Sequence, residues 1–175
     1  AYDGSRCAEA ALDDLRRAGL PVNGEAFILS VAEVWLPPAE SANGSLTDDP
    51  YIRSLVERRR EKGERALAEY EAYARHAESR MRTLFPDWTI TAEATYGSPA
   101  WELLAKADDL KPDMIVTGSQ GQSALSRFLL GSVSQKVLSE ARCSVRVARG
   151  KNEVDPSPIR LTIGFDGSRG ARAAI

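Results

Sequence analysis

Two almost continuously apolar runs, Ala26-Phe27-Ile28-Leu29-Ser30-Val31 and Met114-Ile115-Val116, restrict this chain to a small set of folds. A segment that is apolar at nearly every position is a strand covered on both faces. Residues 89–96 instead alternate, with Ile90, Ala92, Ala94 and Tyr96 on one side, which predicts a strand at a sheet edge. A last short strand is predicted over 144–148. Helical spacing fills the intervals. Ser5 caps a segment with Ala8, Ala11, Leu12 and Leu15 at helical positions, stopped by Gly19 and Pro21. Leu67, Tyr70, Ala74, Ala77, Met81 and Leu84 form one apolar stripe on a long helix, whose exposed part includes Arg58 to Lys62. Pro99 opens a short helix with Trp101, Leu104 and Ala105, and 132–141 predicts another with Val133, Val137 and Leu138 inward. Residues 36–50 are rich in Pro, Ser, Asn and Asp and read as a loop. Strand and helix therefore alternate, which argues for a parallel sheet with helices on both faces.

Composition removes several functional classes. The formal net charge is −2, so nothing global draws the chain to nucleic acid or an anionic membrane. No apolar run approaches the length of a membrane span. Cys7 and Cys143 are the only cysteines and stand in no metal-ligand spacing, so they read as reduced thiols of a cytoplasmic protein. His76 is the only histidine and lies among charged residues, where a solvated helix face is its expected role.

An internal repeat organises the ends. Tyr2-Asp3-Gly4-Ser5-Arg6 returns as Phe165-Asp166-Gly167-Ser168-Arg169, and the match continues through Ala8/Ala171, Ala10/Ala173, Ala11/Ala174 and Leu12/Ile175. The second copy follows a strand-like stretch, Ile159-Arg160-Leu161-Thr162-Ile163-Gly164, whereas the first has only Ala1 before Tyr2. The expected organisation is one domain over 1–150, a linker over 151–158, and the first strand and helix start of a second copy over 159–175. The first domain then lacks most of its own first strand. Bare central edges of a parallel sheet are costly, so residues 159–165 are expected to fill that place, within the chain or by exchange between chains.

The chemistry concentrates where the apolar run Met114-Ile115-Val116 ends. Thr117-Gly118-Ser119-Gln120-Gly121 leads through a loop to Gly131-Ser132-Val133-Ser134 at a helix start. Glycines allow backbone to approach a polyphosphate without a Cβ in the way. A helix amino end offers unpaired amides and partial positive charge to an anion. The carboxyl end of a parallel sheet is where open α/β folds bind ligands.

The spacing Gly118-x2-Gly121-x9-Gly131-Ser132 resembles the G-x2-G-x9-G-[ST] signature of ATP-binding universal stress proteins. Tyr2-Asp3-Gly4-Ser5 resembles the end of that family's first strand, and Tyr96-Gly97-Ser98-Pro99 its turn after the third. The resemblance covers about residues 1–148. It implies a five-stranded parallel sheet sandwiched by helices, Rossmann-like, of the adenine nucleotide alpha hydrolase-like type. It also implies that Ala1, Tyr2 and Asp3 border adenine and ribose, and that Val31 packs on adenine. Gly118, Ser119, Gly121, Gly131, Ser132, Val133 and Ser134 would hold ribose and phosphates. Gln120 stands where the family commonly carries Arg or Lys, which removes one phosphate-directed charge.

The function expected from these features is a stress-response or signalling module that binds ATP, with Mg2+ on the phosphates, and does no strong catalysis. The chain has no Walker Gly-x4-Gly-Lys-[Ser/Thr], no Gly-x-Ser-x-Gly and no evident general base beside the loop. The alternatives are a weak ATPase and an ATP-independent dimerisation module. Family resemblance points to pairing through the last strand, between copies or between tandem domains.

Overall fold

A computed structural model describes residues 1–34, 50–122, 130–149 and 162–173. The elements are α1 (Arg6–Asp14), β1 (Gly24–Ala32), α2 (Pro50–Leu84), β2 (Trp88–Tyr96), α3 (Pro99–Leu110), β3 (Met114–Gly118), α4 (Ser132–Glu140), β4 (Ser144–Ala148) and α5 (Arg169–Ala173). Residues 36–49 of the predicted loop lie outside the described residues, and Pro50 already belongs to α2.

Alternation along β1 assigns the two faces. Ala26 and Ile28 meet Ala77 and Met81 of α2, in a cluster that also contains Ala8 and Leu12 of α1. Phe27, Leu29 and Val31 face the other way, packed with Leu103 of α3 and Val137 of α4. Helices therefore cover both sides, as the two-sided apolar runs require.

The sheet is not the continuous five-stranded one expected. It consists of two parallel pairs, β1 with β2 and β3 with β4. Ala1 and Tyr2 lie between them. The Tyr2 amide donates to Leu29 O at 3.0 Å, and the Ala1 amine donates to Val116 O at 2.8 Å. Alternate residues thus bond to opposite sides, as in a central strand. Two residues make too few bonds for a ladder, and among the described residues no other backbone bond spans the interval from β1 to β3. Ser30 adds a side-chain tie, its hydroxyl donating to Tyr2 O at 2.7 Å. That explains a fully buried hydroxyl inside an apolar run.

The expectation that residues 159–165 fill this interval within the chain is not met. Residues 159–161 lie outside the described residues, and 162–165 are exposed and join no strand. The repeat is nevertheless visible as local structure. Ser5 N–H donates to Asp3 Oδ1 at 3.0 Å and Ser5 Oγ accepts from Ala8 N, with Gly4 at φ +73°. In the second copy Ser168 N–H donates to Asp166 Oδ1 at 2.9 Å and Ser168 Oγ accepts from Ala171 N, with Gly167 at φ +79°. One copy packs on a core and the other does not, so the turn is encoded by its own residues: an Asx turn, a left-handed glycine and a serine cap. A strand needs a partner edge, which the sequence of residues 162–165 alone does not supply.

A charged cluster fastens α1 to α2. Glu9 accepts from the Tyr2 hydroxyl and from Arg80, and lies 3.0 Å from His76 Nε2; Arg80 also reaches Asp13. Burial pushes the Glu9 carboxyl up, but the Tyr2 hydrogen bond and the Arg80 and His76 charges outweigh it and hold the group below 4.5. A carboxyl lowered by folding stabilises the fold above its unfolded pKa, and that contribution is lost as pH falls through the folded value. Glu9→Gln is therefore expected to lower stability by about 1–2 kcal/mol near neutrality, with the difference from wild type shrinking below pH 4.5. Urea unfolding at pH 7 and pH 3 measures it; an equal deficit at both pH values contradicts the expectation.

Candidate functional site

The loop after β3 is built against the start of α1. A Cβ on Gly118 would lie 2.7 Å from the Cys7 carbonyl carbon and 2.8 Å from the Ala8 nitrogen. Glycine at 118 is thus demanded by the approach of a helix backbone. Ser119 N–H donates to Ala148 O at 2.8 Å, and its carbonyl accepts from Gly131 N at 2.8 Å. The second bond returns the chain to the start of α4, so the two ends of the glycine segment meet although residues 123–129 lie outside the described residues. The buried Ser134 hydroxyl donates to Gly118 O at 2.6 Å. Ser119 and Ser134 therefore shape the loop.

At α4 the geometry leaves donors over. Gly131 is the cap residue, with φ −65° and ψ 154°, and no side chain caps the helix. The first intrahelical backbone bond runs from Gln135 N to Gly131 O. The amides of Ser132, Val133 and Ser134 precede it, where an α-helix supplies no partner, and no described residue accepts from them. Gly131 is not packed as Gly118 is: a Cβ there would meet its nearest atoms at 3.4 Å, an ordinary contact. Its missing side chain keeps the helix end open.

Asp3 closes the opposite side. Its Oδ1 takes the Ser5 amide, its carbonyl accepts from Gln122 Nε2, and its Oδ2 would stand 2.8 Å from a Cβ on Gly121. Ser5 Oγ donates to Gln120 O at 3.3 Å. The 3–5 turn and the 118–122 loop are thus one unit, which brings Asp3, Gly121 and the α4 amino end to the carboxyl end of the sheet.

Ala1 and Tyr2 are engaged by the strands beside them, with the Tyr2 ring buried in the α1–α2 core. Val31 is buried on the α3–α4 face with Leu103, Ile115 and Val137. On α4, Ser134 and Val137 point inward and Leu138 is 47% exposed, which corrects the inward assignment of Leu138. Its buried face includes a serine because that hydroxyl is held by Gly118 O. Among the described residues no group of three or more His, Cys, Asp and Glu could hold a metal ion.

The sequence reading missed Tyr70 and Tyr73 as neighbours of the site. Tyr70 belongs to the apolar stripe of α2 and Tyr73 stands beside it on the same helix, and helical spacing gives neither a signal of a place at the sheet's carboxyl end. The Tyr73 ring lies against Gly4, where a Cβ would be 2.9 Å from its Cε1, and its hydroxyl donates to Glu69 and bonds the Gln122 side chain. Tyr70 packs edge-on to Tyr73, ring centroids 5.4 Å apart.

A model described as the universal stress protein family matches residues 1–149. A universal stress protein of Thermus aquaticus, encoded in the QAH/OAS sulfhydrylase 3′ region, is 32% identical over 149 residues, covering 85% of this chain and 95% of that protein. The matched part spans only 39–42% of the length of several other curated relatives. Among solved structures, hypothetical protein MJ0577 has the same fold, with a TM-score of 0.66 and 23% identity over 86% of this chain and 93% of that one. A universal stress protein solved in complex with cAMP has a TM-score of 0.50 and 20% identity, covering 86% of this chain and 99% of that one.

Proposed function

The chain belongs to the universal stress protein family, and from that premise we propose that it binds an adenine nucleotide, ATP foremost, between Asp3 and the amino end of α4. The observation that carries the reading is the uncapped α4 start. Three successive amides, Ser132 to Ser134, have no described partner and open beside the glycine loop. Such a cluster, with the helix dipole behind it, suits a phosphate group. A family relative crystallised with cAMP supports an adenine nucleotide as the ligand.

The phosphates lie at Gly131 to Ser134 and the nucleoside extends past Gly121 toward Asp3. Mg2+ would accompany the phosphates, because the described groups at Gly121 and Gly131 to Ser134 are neutral. The role is that of a ligand-responsive cytoplasmic stress or signalling module rather than an enzyme: Asp3, the carboxylate beside the loop, already holds the Ser5 amide, which disfavours a base role. Pairing between copies or tandem domains uses β4, whose partner among the described residues is β3.

Calorimetry with ATP, ADP and AMP tests the reading. ATP is expected to bind with release of heat, to raise the melting temperature, and to bind more tightly than AMP because its added phosphates meet the α4 amides. Phosphate release is expected to stay at the level of a protein-free control. Absence of ATP binding at millimolar concentration contradicts the site, and turnover above the control contradicts the binding-only role.

A further inference from the structure

Helix α2 is too long for the sheet it covers. At 35 residues it spans about 52 Å, whereas the nine residues of β1 span about 30 Å. It runs antiparallel to β1 and β2, ending at Leu84 just before Trp88 opens β2. Its surplus length therefore projects beyond the sheet's carboxyl end, the end where Asp3 and the loop lie. Ala74, Ala77 and Met81 are the buried contacts over the sheet, and of the residues before them only Gly63 is buried. Tyr70 and Tyr73 stand where the covered part gives way to the overhang.

Tyr73 lies across Gly4 and reaches Gln122, which itself holds the Asp3 carbonyl. Tyr70 is half-buried one turn further out, within electrostatic reach of both Asp3 and Glu33, so it stands on the side of the 3–5 turn and the end of β1. An edge-on pair occupies one ring face only. No described side chain bonds the Tyr70 hydroxyl. The place has aromatic surface, a hydroxyl that no described side chain bonds and a carboxylate beside it: features suited to a flat heterocycle joined to a sugar, and poorly suited to a phosphate.

We infer that Tyr70, held edge-on by Tyr73, is the wall on which the base of the bound nucleotide packs, so that α2 sets base preference while α4 holds phosphate. The inference rests on the nucleotide reading above. Base–aromatic stacking amounts to a factor of roughly five to one hundred in affinity.

The experiment is titration of ATP into the chain carrying Tyr70→Leu, Tyr70→Phe or Gly131→Asp, with thermal unfolding followed for each. Tyr70→Leu keeps apolar bulk and is expected to weaken ATP about ten-fold with little change in melting temperature, while Tyr70→Phe keeps the ring and retains at least half the wild-type affinity. Tyr70→Leu binding ATP as wild type does overturns the inference, and if Gly131→Asp still abolishes binding, the nucleotide site itself stands. A Phe variant as weak as the Leu variant also overturns it, because the ring is then not what the ligand meets. Wild-type protein that binds no ATP overturns both.

Discussion

Gly118→Val is expected to destabilise the fold by about 3 kcal/mol and to lower the melting temperature by roughly 10 °C. The added Cβ would sit 2.7 Å from one backbone atom of α1 and 2.8 Å from another. Neither can swing aside as a side-chain tip can, so the α1 amino end must lift from β3. Much is attached to that end. Ser5 bonds Gln120 O, Ser119 lies beside Cys7, and the α1 core residues Ala8 and Leu12 share a cluster with Tyr2. Arg146 of β4 reaches Asp14 at the other end of the helix at 2.6 Å and limits how far it can tilt. Gly118→Ala meets the same backbone with fewer atoms and should lose less. Urea unfolding of both variants measures the order. A Gly118→Val chain as stable as wild type would show that α1 moves freely, and would remove packing as the reason for glycine at this position.

That reason differs from the one the sequence suggested. Gly118 resembles a phosphate-loop glycine, but its tightest contact is with a helix backbone, a long-range fact that spacing cannot carry. Features made by neighbouring residues were legible: the Ser5 cap, the strands β1 and β4, the Asp-Gly-Ser turn in both copies, and the α2 stripe from Ala74 to Met81. Features that depend on distant partners were not. Leu138 was assigned inward by apolarity, while Ser134 takes the buried position because Gly118 O accepts its hydroxyl. The strand expected within 159–165 has no partner edge in its described part, and propensity alone does not keep residues 162–165 extended in a sheet. The five-stranded sheet resolves into two pairs for a related reason: Ala1 and Tyr2 supply only two bonds where a ladder needs several. At the candidate site, the motif points to the α4 amides and Gly121, which the fold brings beside Asp3. Tyr70 was hidden in a stripe that read as core, since helical periodicity does not reveal where a sheet ends beneath a helix.

Gly131→Asp should separate stability from binding most sharply. Gly131 has extended backbone angles at the cap of α4, and a Cβ there would make only ordinary contacts. Aspartate is a better cap than glycine: its carboxylate accepts amide bonds from the first helical turn and complements the dipole, a gain of a few tenths of a kcal/mol. The variant is therefore expected to melt at or slightly above the wild-type temperature. Its effect on a bound phosphate is the reverse. The carboxylate takes the amides of Val133 or Ser134 that the phosphate needs, and it places a negative charge about 4 Å from another. At an effective dielectric constant of about 20 that repulsion is on the order of 4 kcal/mol, so ATP affinity should fall by at least about 100-fold. Gly131→Ala, which adds bulk without charge or a capping group, should lose much less. Calorimetry and thermal unfolding on the same preparations give both readings. ATP binding unimpaired in Gly131→Asp would mean that the phosphates do not sit on α4. A variant that loses binding and stability together would mean that Gly131 serves the fold, against the open contacts seen around it.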